Sequence, residues 1–178
     1  MSAPLLRRLA ASAYESLLLG AIVLCLGFVL LPVLTPGPMP TGSASPSVPS
    51  VAGRTLSLGA IALVCGAYCV WLWSGGRRTL PMRTWRLSLQ AADGGTVAPA
   101  RAALRYAAWW IGPALAVAAA GAFRGFAQPA WVLPLVGINY AWALFDPGRV
   151  FLHDRLAGTS LVTVGLRSQT GEPDAVSR

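Results

Sequence analysis

Two of the chain's six carboxylates, two of its fourteen basic residues and its only histidine lie between Asp146 and Thr159. The stretch reads Asp146-Pro147-Gly148-Arg149-Val150-Phe151-Leu152-His153-Asp154-Arg155-Leu156-Ala157-Gly158-Thr159. A histidine beside a carboxylate titrates near neutral pH and is suited to passing a proton. Carboxylates among guanidinium groups are equally suited to locking chain segments together. A second pair of charges, Arg8 and Glu15, opens the chain. Seven residues of helix return to nearly the same direction, so the two share a face. They also rise roughly 10 Å, which prevents a direct ion pair within one helix. Glu15 must therefore look to Arg105, Arg149 or Arg155, and Arg8 to Asp146 or Asp154. The cluster expected from these spacings comprises Arg8, Glu15, Arg105, Asp146, Arg149, His153, Asp154 and Arg155. It admits two readings. One is a proton or cation relay through Glu15 with Asp154 and His153 at its cytoplasmic mouth. The other is a salt-bridge cluster that holds helix ends.

Other chemistry has little to build from. Cys25, Cys65 and Cys69 lie inside apolar runs without the Cys-x-x-Cys spacing of a metal site. They read as buried small apolar residues. With one histidine and no cysteine near it, neither a nucleophile–base pair nor a metal triad can be assembled. Ser12 and Ser16 near Glu15 are the remaining hydroxyls of note. The expectation is a protein that is not an enzyme and needs no cofactor or metal.

What surrounds these groups is apolar. Of 178 residues 55% are hydrophobic and only 11% charged, and the mean hydropathy is +0.59. That composition points to a membrane protein. An ionised side chain at bilayer depth costs at least about 2.5–3.5 kcal/mol, so it normally faces the bundle and pairs.

Four apolar runs follow one another: about Leu17–Leu34, Leu56–Trp73, Tyr106–Phe123 and Ala130–Phe145. The first is long enough to span a hydrocarbon core roughly 30 Å thick. Its basic flank resembles a signal peptide, but no small-x-small cleavage site follows, so it reads as an uncleaved span. Gly59, Gly66 and neighbouring alanines dilute the second run, which ends on Trp71 and Trp73 at the headgroup level. Gly112-Pro113 should bend the third, which neighbours can tolerate by re-satisfying the freed carbonyl. The fourth contains Pro134 and Asn139, the latter a residue that hydrogen-bonds across helices. Asp146-Pro147-Gly148 is a turn that ends it.

Between the runs, residues 35–55 hold five prolines and read as a disordered external loop. Residues 74–105 carry Arg77, Arg78, Arg83, Arg86, Arg101 and Arg105. Within them Trp85-Arg86-Leu87-Ser88-Leu89-Gln90 alternates with period two, and Asp93-Gly94-Gly95 supplies a turn. The β-branched run Ser160–Gly165 is strand-like and is expected to pair with residues 84–90. Residues 168–178 show no core-forming pattern and read as a flexible cytoplasmic tail.

Four spans would put both termini on one side. With them lie Arg7, Arg8, the six arginines of 74–105, Arg149, Arg155, Arg167 and Arg178; Arg54 and Arg124 fall opposite. The positive-inside rule then makes both termini cytoplasmic. Topology thus accounts for the net charge of +8 without a nucleic-acid partner, and the arginines would attract anionic lipid headgroups. The fold expected is an all-α membrane protein of four transmembrane helices with a small juxtamembrane strand pair on the cytoplasmic side.

The stretch Phe151–Thr159, followed by its β-branched run, resembles the C-terminal signature of the RDD family of small membrane proteins. Arg8 matches the family's arginine in the first helix and Asp154 one of its two aspartates. Glu15 stands where the family has the other aspartate, one methylene longer with the charge kept. Thr79–Leu87 and Ala103-Leu104-Arg105-Tyr106 also resemble family segments, and the likeness covers residues 5–165. It implies a bacterial inner-membrane protein, with transport of some ligand the usual suggestion. The expectation is therefore transport of ions or small solutes through the charged site, in a homo-oligomer or larger membrane complex. The alternative is a non-transporting accessory or scaffold subunit.

Overall fold

The computed structural model describes residues 3–34, 50–123 and 132–164. Helix α1 (Leu5–Leu34) and helix α2 (Val51–Trp73) are the two helices among the described residues long and apolar enough to cross a membrane. Their apolar side chains point outward: Leu17, Leu24, Phe28 and Leu63 are each more than 60% exposed. A helix buried in a soluble core would hide such residues, so these faces suit lipid. Ser50 caps α2 by accepting from the Gly53 amide at 3.0 Å. The helix therefore begins at Val51, and residues 51–55, expected in the loop, are helical; residues 35–49 lie outside the described residues. Among the three cysteines, Cys65 and Cys69 are buried as expected, whereas Cys25 is exposed on α1.

The third and fourth apolar runs are not single helices. Helix α4 (Pro99–Trp109) starts well before the apolar run, and α5 (Ile111–Ala122) continues after a break at Trp110. The break follows from Pro113, which has no N–H for the Trp109 carbonyl four residues earlier. Asn139 supplies the missing donor, its Nδ2 giving a 2.8 Å hydrogen bond to Trp109 O. The described part of the fourth run is three short pieces, α6 (Leu133–Val136), α7 (Ile138–Ala141) and a 3₁₀ turn at Trp142–Leu144. Pro134 opens the first piece and Gly137 separates it from the second. Helix α5 meets α6 at Gly112, where a Cβ would lie 2.6 Å from the Val136 carbonyl oxygen. Only glycine permits that approach.

The expected strand pair is present. Strand β1 (Leu87–Ala91) and strand β2 (Thr159–Thr163) pair antiparallel, with Leu89 opposite Leu161. Pairing begins at Leu87 because Arg86 has φ +52° and breaks the extended run. Leu87, Leu89 and Leu161 face the core, and Gln90 and Ser160 the other side. The Asp93 carboxylate accepts from the Gly95 amide at 2.9 Å, forming the expected turn after β1. Ala3 N donates to Leu161 O at 3.0 Å, so the sheet sits at the N-terminal end of α1. The short helices α3 (Leu80–Thr84) and α8 (Leu152–Ala157) complete this polar end. Residues 168–178 and the connection around Arg124 lie outside the described residues.

Candidate functional site

Helix α8 carries the organising pair. Its start is set by Phe151 in extended conformation, and it ends at Gly158 with φ +60°, a left-handed stop that favours glycine. One short helix thereby points His153 and Asp154 inward, both at most 3% exposed. Arg105 from α4 meets Asp154 there, Nε to Oδ1 at 2.6 Å. The Thr159 hydroxyl donates to the same oxygen at 3.2 Å. Arg105 also lays its guanidinium 4.2 Å from the Trp73 ring centroid. Complete burial would raise the Asp154 pKa, but Arg105 above all outweighs it and holds the carboxyl below its usual range.

His153 lies between aromatic rings, 5.9 Å from Tyr140 and 5.6 Å from Phe151. Burial depresses its pKa to about 4, and Arg105 and Arg8 push the same way against Asp154. It is neutral at pH 7, and its 3.9 Å approach to Asp154 is no ion pair under those conditions.

Arg8 is 2% exposed, as deeply buried as the aromatic group it touches. Its Nη1 donates to Arg149 O at 2.7 Å, and its guanidinium stands 4.4 Å from the Phe151 centroid. It forms no ion pair with Asp146 or Asp154, correcting the expected pairing, although both carboxylates attract it at longer range. Arg149 contributes its carbonyl, not its exposed side chain, and does so from φ +50°. Asp146 stabilises this turn by accepting from the Val150 amide at 3.0 Å. Arg155 is exposed and stands 3.8 Å from Asp146.

Glu15 has none of the three expected arginines as an ion-pair partner among the described residues. Trp73 Nε1 donates to its Oε1 at 3.2 Å, and the Thr79 hydroxyl is a second partner. Arg105 attracts it only at longer range. Glu15 lines a cavity of about 20 Å³ with Ser12, Ser16, Trp73, Arg105, Tyr140 and His153. That is room for about one water. In the buried cluster Arg8 Nε and Nη2, Arg105 Nη1, His153 Nδ1 and Asp154 Oδ2 are without a hydrogen-bond partner among the described residues; of these side chains, Arg105 and His153 line the cavity.

Of the eight residues expected to cluster, Arg8, Glu15, Arg105, His153 and Asp154 come together in the buried centre, Asp146 is buried in the turn before α8, and the side chains of Arg149 and Arg155 stay at the rim. Sequence reasoning missed Trp73, Thr79, Tyr140, Phe151 and Thr159. Trp73 was visible in one respect: Cys65, Cys69 and Trp73 recur every fourth residue, marking one buried face of α2. Among the described residues no three His, Cys, Asp or Glu side chains converge as metal ligands.

The model of the RDD family matches residues 2–158. The chain belongs to the RDD family. The match embraces Arg8, Glu15, Arg105 and Asp154, the buried centre of the site. No curated protein and no solved structure matches the chain. Family membership together with the two long apolar helices makes this RDD protein a membrane protein.

Proposed function

We propose that this RDD protein moves ions or small solutes across a bacterial inner membrane through the polar site at the cytoplasmic end of its helices. One observation carries the reading. Glu15 faces a small polar cavity and is held by neutral donors, Trp73 and Thr79, while the neighbouring Arg105 is committed to Asp154. A carboxyl without an ion-pair partner can exchange a proton or cation. The Arg105–Asp154 pair is the frame around it rather than the exchanging group. The broken α4–α5 and α6–α7 segments complete four crossings in this reading. Broken helices are tolerated at membrane depth where neighbours satisfy the backbone. The arginine distribution favours both termini in the cytoplasm. So few crossings leave no obvious alternating-access pathway within one chain, and an oligomer supplies it, with membrane lipids filling the remaining apolar faces.

The second reading is a non-transporting accessory or scaffold subunit. The cavity's small volume favours it, since it has room for only about one water. Proteoliposomes with a pH or sodium reporter separate the two. Transport requires flux that Glu15→Gln abolishes in a protein that still folds. Absence of flux with proton, sodium and potassium gradients overturns it in favour of the accessory role.

A further inference from the structure

A second basic site lies on the surface, away from the buried cluster. Arg7, on the first turn of α1, Thr84, the last residue of α3, and Trp85 and Arg86, which follow it, line an open niche of about 230 Å³. The two arginines come from separate elements. Arg86 is fixed in its turn at both ends, its amide donating to Arg83 O at 3.2 Å and its carbonyl accepting from Val164 N at 2.8 Å. This turn holds Arg86 in the left-handed region, φ +52°, which a non-glycine residue adopts at a cost. Neither guanidinium has a carboxylate or hydrogen-bond partner among the described residues, and the Thr84 hydroxyl is already donated to Leu80 O at 3.0 Å. Two unpaired guanidinium groups flanking one niche are an anion receptor, best matched to phosphate oxygens.

The surroundings say which phosphate. Leu6, next to Arg7 on α1, is 81% exposed, and Leu80, which opens the helix leading to Arg86, is 52% exposed. Trp85 is exposed beside them, a ring suited to the headgroup level. Arg7 lies in the first turn of the long apolar helix α1. The niche is smaller than most pockets that enclose a whole metabolite. We propose that it binds the phosphate of an anionic phospholipid, with the acyl chains lying along Leu6 and Leu80. The site is independent of the transport reading.

The full-length protein in detergent, titrated with phosphatidylglycerol, phosphatidylcholine or inorganic phosphate and read by native mass spectrometry, tests this. The expected result is clear preference for phosphatidylglycerol, reduced about fivefold by Arg7→Gln and by Arg86→Gly. Glycine accepts the backbone conformation at position 86, and Arg86→Asn serves if that variant folds poorly. Arg101→Gln, removing an exposed arginine elsewhere on the basic segment, should leave the preference intact. Equal binding of the two lipids, an unchanged preference in the Arg7/Arg86 double variant, or an equal loss in Arg101→Gln overturns the site. Displacement of phosphatidylglycerol by inorganic phosphate overturns the lipid and leaves a free-anion site.

Discussion

Arg105 and Asp154, 49 residues apart in sequence, meet at 2.6 Å with both side chains withdrawn from solvent. The pair joins α4 to α8, and α8 leads directly into β2. Removing one partner strands the other charge. Asp154→Ala and Arg105→Ala should each lower stability by about 3–5 kcal/mol. An apolar pair of similar volume, Arg105→Met with Asp154→Leu, should cost less than either single change. Thermal unfolding in detergent reads all three, and a double variant as unstable as the sum of the singles would show that the charges are not mutually dependent.

His153 makes the fold sensitive to mild acid. Its folded pKa of about 4 lies below the ordinary value of 6.5. The unfolded chain therefore binds the proton first, and stability falls as pH drops from 6.5 to about 4. The full loss is about 3 kcal/mol. Above pH 6.5 both states are neutral at this residue and the effect vanishes. The groups acting on the ring are Asp154, Arg105 and Arg8, with Tyr140 and Phe151 packed on it. Asp154, whose pKa is also depressed, loses its contribution only in stronger acid, as the pH falls through its folded value. His153→Phe should flatten unfolding temperature between pH 6.5 and 4. An unchanged slope in that variant would assign the effect to another group.

Much of this arrangement was legible from patterns. Alternation at residues 85–90 and β-branching after Thr159 located both strands of the β1–β2 pair. The charges of Phe151–Thr159 marked the buried centre. Partner choice was not legible, because charge alone does not decide it. Arg8 is satisfied by a carbonyl and an aromatic face, and Glu15 by an indole and a hydroxyl. Such neutral partners are common residues with no pattern of their own. The division of the third apolar run could be anticipated at Pro113, but not that α4 would begin as early as Pro99. The positive φ of Arg86 and Arg149 has no sequence signal at all, since arginine is not a left-handed former.

Arg149 offers a test of that last point. Its side chain is exposed while its backbone sits at φ +50° and its carbonyl receives Arg8. Arg149→Gly removes the steric cost of the conformation and keeps the carbonyl. It should leave stability unchanged or raise it by about 1 kcal/mol. Arg149→Val, branched at Cβ, should destabilise by a similar amount or more. If Arg149→Gly instead destabilises as much as Arg8→Ala, the side chain and not the carbonyl serves the cluster.

Asn139 and Pro113 form a compensating pair through a third residue, Trp109. Proline at 113 withdraws the amide that the Trp109 carbonyl would receive in an unbroken helix, and Asn139 Nδ2 donates in its place at 2.8 Å. Asn139→Ala leaves a partly buried acceptor unpartnered and should cost about 1–3 kcal/mol. Pro113→Ala returns an N–H to the position four residues beyond Trp109, so the carbonyl regains a donor. In that background Asn139→Ala should cost about 1 kcal/mol less than in the parent protein. A double-mutant cycle on unfolding in detergent measures the difference. Strict additivity would mean that Asn139 stabilises the fold through some other contact, and that the break at Trp110 does not depend on it.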